Sequence, residues 1–214
     1  MKSILSILAA STMLASAAIA GSPEAPAPAV VDIVPVAVAT GADWGGFYLG
    51  ATYGIGTGGN MEYDAGGPLI EYDSLEPGSS YGAFAGYNLQ RDNLVYGGEI
   101  AYSAVDVPGF GPIGFPLETF NYFVDGKARV GYAMDNILVY GFAGYTWSNF
   151  EYEGGPDFPV SGMNYGAGVD VMFGGNMFAG AEYIIRDLSG ETENPGQTQS
   201  TNIQAVQLRA GWKF

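Results

Sequence analysis

Apolar and polar positions alternate with period two along most of the chain beyond Trp44. The last segment shows it best: Val206, Leu208, Ala210, Trp212 and Phe214 fall on one face, and Gln207, Arg209, Gly211 and Lys213 on the other. Successive side chains of a strand point to opposite faces, so this pattern predicts a strand with one greasy and one polar side. Eight such runs can be read, at about 44–56, 79–90, 94–105, 118–132, 137–149, 161–173, 177–189 and 201–214. Short breaks alternate with long ones. Arg91-Asp92-Asn93, Ala133-Met134-Asp135-Asn136 and Gly174-Gly175-Asn176 carry the Asn, Asp and Gly that tight turns need. The connections near 57–78, 106–117, 150–160 and 190–200 are longer and hold Gly, Pro and many acids, among them Glu62, Asp64, Glu71, Asp106, Glu153 and Glu191. An even number of strands with tight turns at one end and long loops at the other predicts an all-β fold, an eight-stranded antiparallel up-and-down transmembrane β-barrel over 44–214.

The charges inside the runs test this reading, because Arg or Lys facing lipid at mid-depth costs roughly 2–4 kcal/mol. In 118–132, Asp125, Lys127 and Arg129 oppose Val124, Ala128 and Val130. Glu99 opposes Ile100 and Tyr102, Asp170 opposes Val169 and Val171, and Glu182 and Arg186 oppose Tyr183 and Ile185. A lumen network is therefore expected from Glu99, Asp125, Lys127, Arg129, Asp170, Glu182, Arg186, Arg209 and Lys213, with the structural role of filling a small barrel. The run 137–149 does not declare its faces, since Val139, Gly141, Ala143, Tyr145 and Trp147 suit either side. Aromatic residues gather near run ends: Trp44, Phe47, Tyr48, Tyr81, Tyr87, Tyr96, Tyr102, Phe120, Tyr122, Tyr132, Tyr140, Trp147, Phe173, Phe178 and Trp212. Rings at a lipid–water boundary would explain them. A soluble lipocalin-like barrel would turn them inward and place more charge outside.

Composition narrows the chemistry. The 214 residues contain no Cys and no His, so thiol, imidazole and zinc-type sites are not expected, and no enzyme, metal or cofactor is expected with them. A formal charge of −15 argues against nucleic acid as a partner. The run Gly54-Ile55-Gly56-Thr57-Gly58-Gly59 lacks the Lys-Ser/Thr of a phosphate loop, and Glu151-Tyr152-Glu153-Gly154-Gly155-Pro156-Asp157 lacks the spacing of a calcium loop. Residues 1–20, with Lys2, an apolar run from Ile4 to Leu14 and Ala18-Ile19-Ala20, predict a secretory signal peptide cleaved after Ala20. Residues 21–43, with Pro23, Pro26, Pro28 and Pro35, predict an extended Pro/Ala-rich periplasmic linker, the alternative being a loose edge strand at 29–38.

Val206-Gln207-Leu208-Arg209-Ala210-Gly211-Trp212-Lys213-Phe214 resembles the closing strand recognised by the outer-membrane assembly machinery, with Trp212 and Phe214 as the signal. Asp43-Trp44-Gly45-Gly46-Phe47-Tyr48-Leu49-Gly50 resembles the opening strand of the small porin-family barrels of Gram-negative bacteria, similar to the OmpA and OmpX transmembrane domains. Tyr81 to Asn88 is similar to their second strand. The resemblance implies an outer-membrane protein with a structural and surface-interaction role, a surface antigen of the cell envelope. Its expected partners are outer-membrane lipid, the assembly machinery, and host or surface ligands reached through the acidic loops. With no peptidoglycan-binding domain after Phe214, a wall anchor of the OmpA type is not expected. The alternative is a narrow porin or a small-ligand transport barrel. Haem is the small ligand the resemblance offers for it, with only Tyr or Met left as axial ligand because His and Cys are absent.

Overall fold

The structure is a computed structural model that describes residues 41–64, 66, 70–72, 78–106, 118–152, 157–191 and 196–214. The expected signal peptide and most of the expected linker lie outside the described residues, as does much of the four long loops. The described residues contain no helix, and their strands are β1 (Gly46–Asp64), β2 (Ile70–Tyr72), β3 (Ser79–Arg91), β4 (Leu94–Asp106), β5 (Glu118–Met134), β6 (Ile137–Tyr152), β7 (Phe158–Phe173), β8 (Met177–Glu191) and β9 (Thr198–Lys213). Each long strand pairs antiparallel with the next, and β1 pairs with β9, so eight of them form a closed barrel. Closure leaves no long edge unpaired. The short β2 lies outside the ring, paired to β1 at Met61, Glu62 and Tyr63.

The three tight turns share one device. Asn93, Asn136 and Asn176 each donate a side-chain hydrogen bond to a carbonyl of the strand beyond the hairpin, of Ala133, Met172 and Lys213. The backbone N–H of those same three residues donates back to the carbonyl of the turn Asn. Asp92 and Asp135 take φ near +54° and +53°, the left-handed conformation Asp tolerates in a two-residue turn. Each turn therefore closes its own hairpin and pins the next.

Two bulges adjust which side chains point inward. Between Gly56 and Gly58 the β1–β9 register shifts, so that Tyr48 and Met61, of opposite parity, both face the interior. A second shift between Phe120 and Phe123 turns both rings inward. The first bulge also explains why β1 runs past the expected end at 56 to Asp64. The glycines that looked like a loop are a continuing strand with an irregularity in it.

The outward face is the apolar one. Leu208 is 59% and Val130 55% exposed, while their chain neighbours Arg209 and Arg129 are buried. In β6 the ambiguous residues Val139, Tyr145 and Trp147 face outward, and Leu138, Tyr140, Phe142 and Thr146 face inward. A belt of Tyr81, Tyr87, Tyr96, Tyr102, Tyr132 and Phe173 also lies outside. Five rings expected in that belt, Trp44, Tyr48, Phe120, Tyr140 and Phe178, are buried within the barrel instead. Ring type alone does not decide side; parity along the strand does.

Candidate functional site

Glycines opposite aromatic residues create the space in which the lumen is built. Tyr48 pairs with Gly86 and Phe84 with Gly50 across β1 and β3. Tyr140 pairs with Gly168 and Phe142 with Gly166 across β6 and β7. A Cβ on any of these four glycines would collide with the ring of its partner. Each ring therefore lies flat over bare backbone, the arrangement in which an aromatic residue covers a cross-strand glycine.

Four cations rest on rings. The Arg209 guanidinium lies 4.2 Å from the centre of Phe84, Arg129 3.9 Å from Tyr140, Lys127 4.7 Å from Phe142 and Arg186 4.6 Å from Phe123. Ring quadrupoles attract cations, and more strongly away from water. The cations are placed by register: Lys127 lies directly across from Glu99, and Arg129 and Lys127 are two residues apart on the inward face of β5.

Carboxylates complete the cluster. Arg209 Nη2 is 2.6 Å from Glu99 Oε2, its Nη1 2.8 Å from Glu182 Oε2 and its Nε 3.3 Å from Asp170 Oδ1. Arg129 bridges Glu99 Oε2 at 2.9 Å and Asp170 Oδ2 at 3.2 Å. Lys127 Nζ reaches Glu182 Oε1 at 2.5 Å and Glu99 Oε1 at 3.4 Å. Tyr48 donates to Glu99 and accepts from Arg129, and Tyr140 donates to Glu182. Nearer the loop end, Arg186 grips Asp125 with Nε at 3.0 Å and Nη2 at 2.6 Å, and Thr146 donates to the same carboxylate at 2.6 Å. Asn164 donates to Thr146 at 2.9 Å.

The structure brings together eight of the nine lumen residues named from sequence, four carboxylates with four cations, all buried. The formal charges cancel, which a desolvated interior requires. Lys213 sits elsewhere. Its Nζ is 3.1 Å from Asp43 Oδ2 and 2.8 Å from the Gly45 carbonyl, at the turn-end rim. Period two assigns a face but not a height, so the pattern of β9 does not separate Lys213 from Arg209.

Alternation and charge did not bring forward Tyr48, Phe84, Tyr140, Phe142, Thr146 or Asn164. Their signal was the glycine content of one face: in β1 the inward positions read Gly46, Tyr48, Gly50, Thr52 and Gly54. Two buried apolar clusters share the lumen with the charges. Trp44, Phe84, Val95, Leu138, Met172 and Phe178 lie among one cluster, and Met61, Phe120, Phe123, Leu188 and Ile203 form the other.

At the turn end, residues 42–45 form a strap over the mouth. Ala42 N–H donates to the Asp135 carbonyl, Trp44 N–H to Gln90 Oε1 at 2.6 Å, and the indole meets Phe178 edge-on at 6.0 Å. Partial burial pushes the Asp43 carboxyl up, but the Gly45 N–H and the Lys213 ammonium outweigh it and hold the group below its ordinary value. Trp212 and Phe214 face outward at the same end, with Phe214 against Phe47 at 5.8 Å and its N–H bonded to the Phe47 carbonyl.

Among the described residues no group of acidic side chains is arranged to hold a metal ion. The arrangement supplies charge neutralisation and filling.

Residues 6–214 match a family model described as the outer membrane protein beta-barrel domain. The chain is 30% identical to a 25 kDa outer-membrane immunogenic protein of Brucella canis, over 95% of this chain and 91% of that one. It is 29% identical to a 22 kDa outer membrane protein of Rhizobium leguminosarum bv. viciae, over 80% and 78% of the two chains. Among solved structures it is similar in fold to OprG from Pseudomonas aeruginosa, with a TM-score of 0.51 at 13% identity, covering 82% of this chain and 98% of that one.

Proposed function

From the premise that the chain belongs to the outer membrane protein beta-barrel domain family, we propose that it acts as a sealed structural barrel that presents acidic loops at the bacterial surface. It is an outer-membrane protein of the envelope, as the resemblance of its opening and closing strands implied. The observation that carries the reading is the interior of a closed barrel occupied by four buried carboxylates paired with four buried cations. Eight-stranded barrels have just enough interior for side chains to fill.

In this reading the apolar belt meets lipid, Trp212 and Phe214 serve the assembly machinery, and the loops meet host or surface ligands. The name of the Brucella relative, an immunogenic protein, supports exposure of those loops. The chain performs no catalysis; the lack of His and Cys supports this. A narrow porin or haem carrier is disfavoured by the filled lumen.

The test is conductance of the purified protein in a planar bilayer. A sealed barrel gives no regular current steps at any voltage. Steady unitary openings would overturn the proposal.

A further inference from the structure

The turn-end mouth contains a cavity lined by Trp44, Tyr48, Asn88, Arg129, Asp170, Phe178 and Lys213. Trp44 and Asn88 are each only 3% exposed. Among the described residues, the indole Nε1–H of Trp44 and the amide Oδ1 of Asn88 have no hydrogen-bond partner. Buried polar atoms are rarely left so, and when protein does not satisfy them an ordered water does.

We infer that this cavity is the site of one internal water molecule, which accepts from Trp44 Nε1 and donates to Asn88 Oδ1. Three features fix the class of ligand. Of the lining atoms without a hydrogen bond among the described residues, Trp44 Nε1 is a donor and Asn88 Oδ1 and Asp170 Oδ1 are acceptors, so the occupant must both accept and donate; a halide or a metal cation does only one of these. The remaining lining is mixed as well, with Lys213 and Arg129 as cations and Asp170 as a carboxylate. The cavity of about 10 Å³ also matches the smallest space that holds a water, roughly 10–15 Å³.

The site has a structural consequence. The strap is held by Ala42, Asp43 and the backbone of Trp44 and Gly45 at the rim, while the Trp44 ring enters the lumen. Water gives the indole N–H a link to β3, so the ring is anchored by its polar atom as well as by packing on Phe178. The strap and the wall are joined through that water.

The three Trp residues, Trp44, Trp147 and Trp212, make the test direct, because Trp147 and Trp212 face outward. In the ¹⁵N-labelled full chain folded in micelles, the Trp44 indole N–H should show a cross-peak to water with the sign of a long-lived contact, and the other two should not. In Asn88→Leu the Trp44 indole signal should persist while that cross-peak falls to the level of Trp147; in Asn88→Asp, which keeps an acceptor, it should remain. No cross-peak in the unmodified protein, or an undiminished one in a folded Asn88→Leu, overturns the assignment. Should Asn88→Leu not fold, a high-resolution crystal structure of the unmodified chain decides. It should show a water within hydrogen-bond distance of both atoms, and a dry cavity or a direct Trp44–Asn88 bond refutes the site.

Discussion

Replacing Arg209 with Met should be among the most damaging single changes in the barrel. Arg209 contacts three carboxylates, Glu99, Glu182 and Asp170, and lies on the Phe84 ring. Met keeps much of the volume but removes the charge, leaving four buried carboxylates with three cations. Truncating one partner of a buried ion pair costs roughly 3–5 kcal/mol, because the remaining charge stays desolvated. In urea titrations of the barrel in lipid vesicles, followed by Trp fluorescence and gel mobility, the unfolding midpoint should fall by at least about 1 M for a slope of roughly 1–3 kcal/mol/M. Arg209→Lys should fall between the two, keeping charge but losing the fork that holds Glu99 and Glu182 together. Adding Glu99→Gln to Arg209→Met should restore part of the loss, a coupling of roughly 0.5–3 kcal/mol. A folded Arg209→Met that loses less than about 1 kcal/mol would give the cluster the worth of a solvated surface pair and refute a dry, sealed lumen.

Two further outcomes follow from the glycine cradles and the strap. Gly86→Ala and Gly168→Ala should each cost about 1–3 kcal/mol in the same titration by displacing Tyr48 and Tyr140, whereas Gly141→Ala, where an added Cβ meets only the Gly166 carbonyl oxygen at an ordinary contact of 3.7 Å, should stay within about 0.5 kcal/mol; equal losses at all three would sink the cradle argument. Because the folded protein holds the Asp43 carboxyl below its ordinary value of 3.8, its contribution to the strap is complete above that value and fades as pH falls below it. Hydrogen exchange at the Ala42 N–H should therefore quicken below pH 4, beyond its intrinsic pH dependence, and Asp43→Asn should abolish that step.

Strand number, antiparallel order, the tight turns and the inward placement of the charged residues were legible in the sequence, since each rests on period two or on turn chemistry. Side-chain height and cross-strand partners were not legible, because they depend on register, which no single strand contains. Lys213 and Arg209 share a face in the sequence pattern, although one neutralises Asp43 at the rim and the other pairs with Glu99 within the lumen. For the same reason Tyr48 and Tyr140 look like belt residues in the sequence. Only their pairing with Gly86 and Gly168 shows that each ring has a bare patch of wall to lie on. The long β1 was hidden for a related reason: Gly58 and Gly59 read as a loop until β9 is set beside them.

The account depends on the apolar face of each strand meeting hydrocarbon while the charged face closes on itself. The chain has no Cys, so single cysteines carrying a nitroxide can be placed cleanly along β9 at 205, 206, 207, 208 and 210. In lipid vesicles, labels at 206, 208 and 210 should be readily relaxed by oxygen dissolved in the bilayer, and labels at 205 and 207 should be shielded from both oxygen and a water-soluble paramagnetic ion. Free access of the water-soluble ion at 205 and 207, or oxygen access without a period of two, would contradict it.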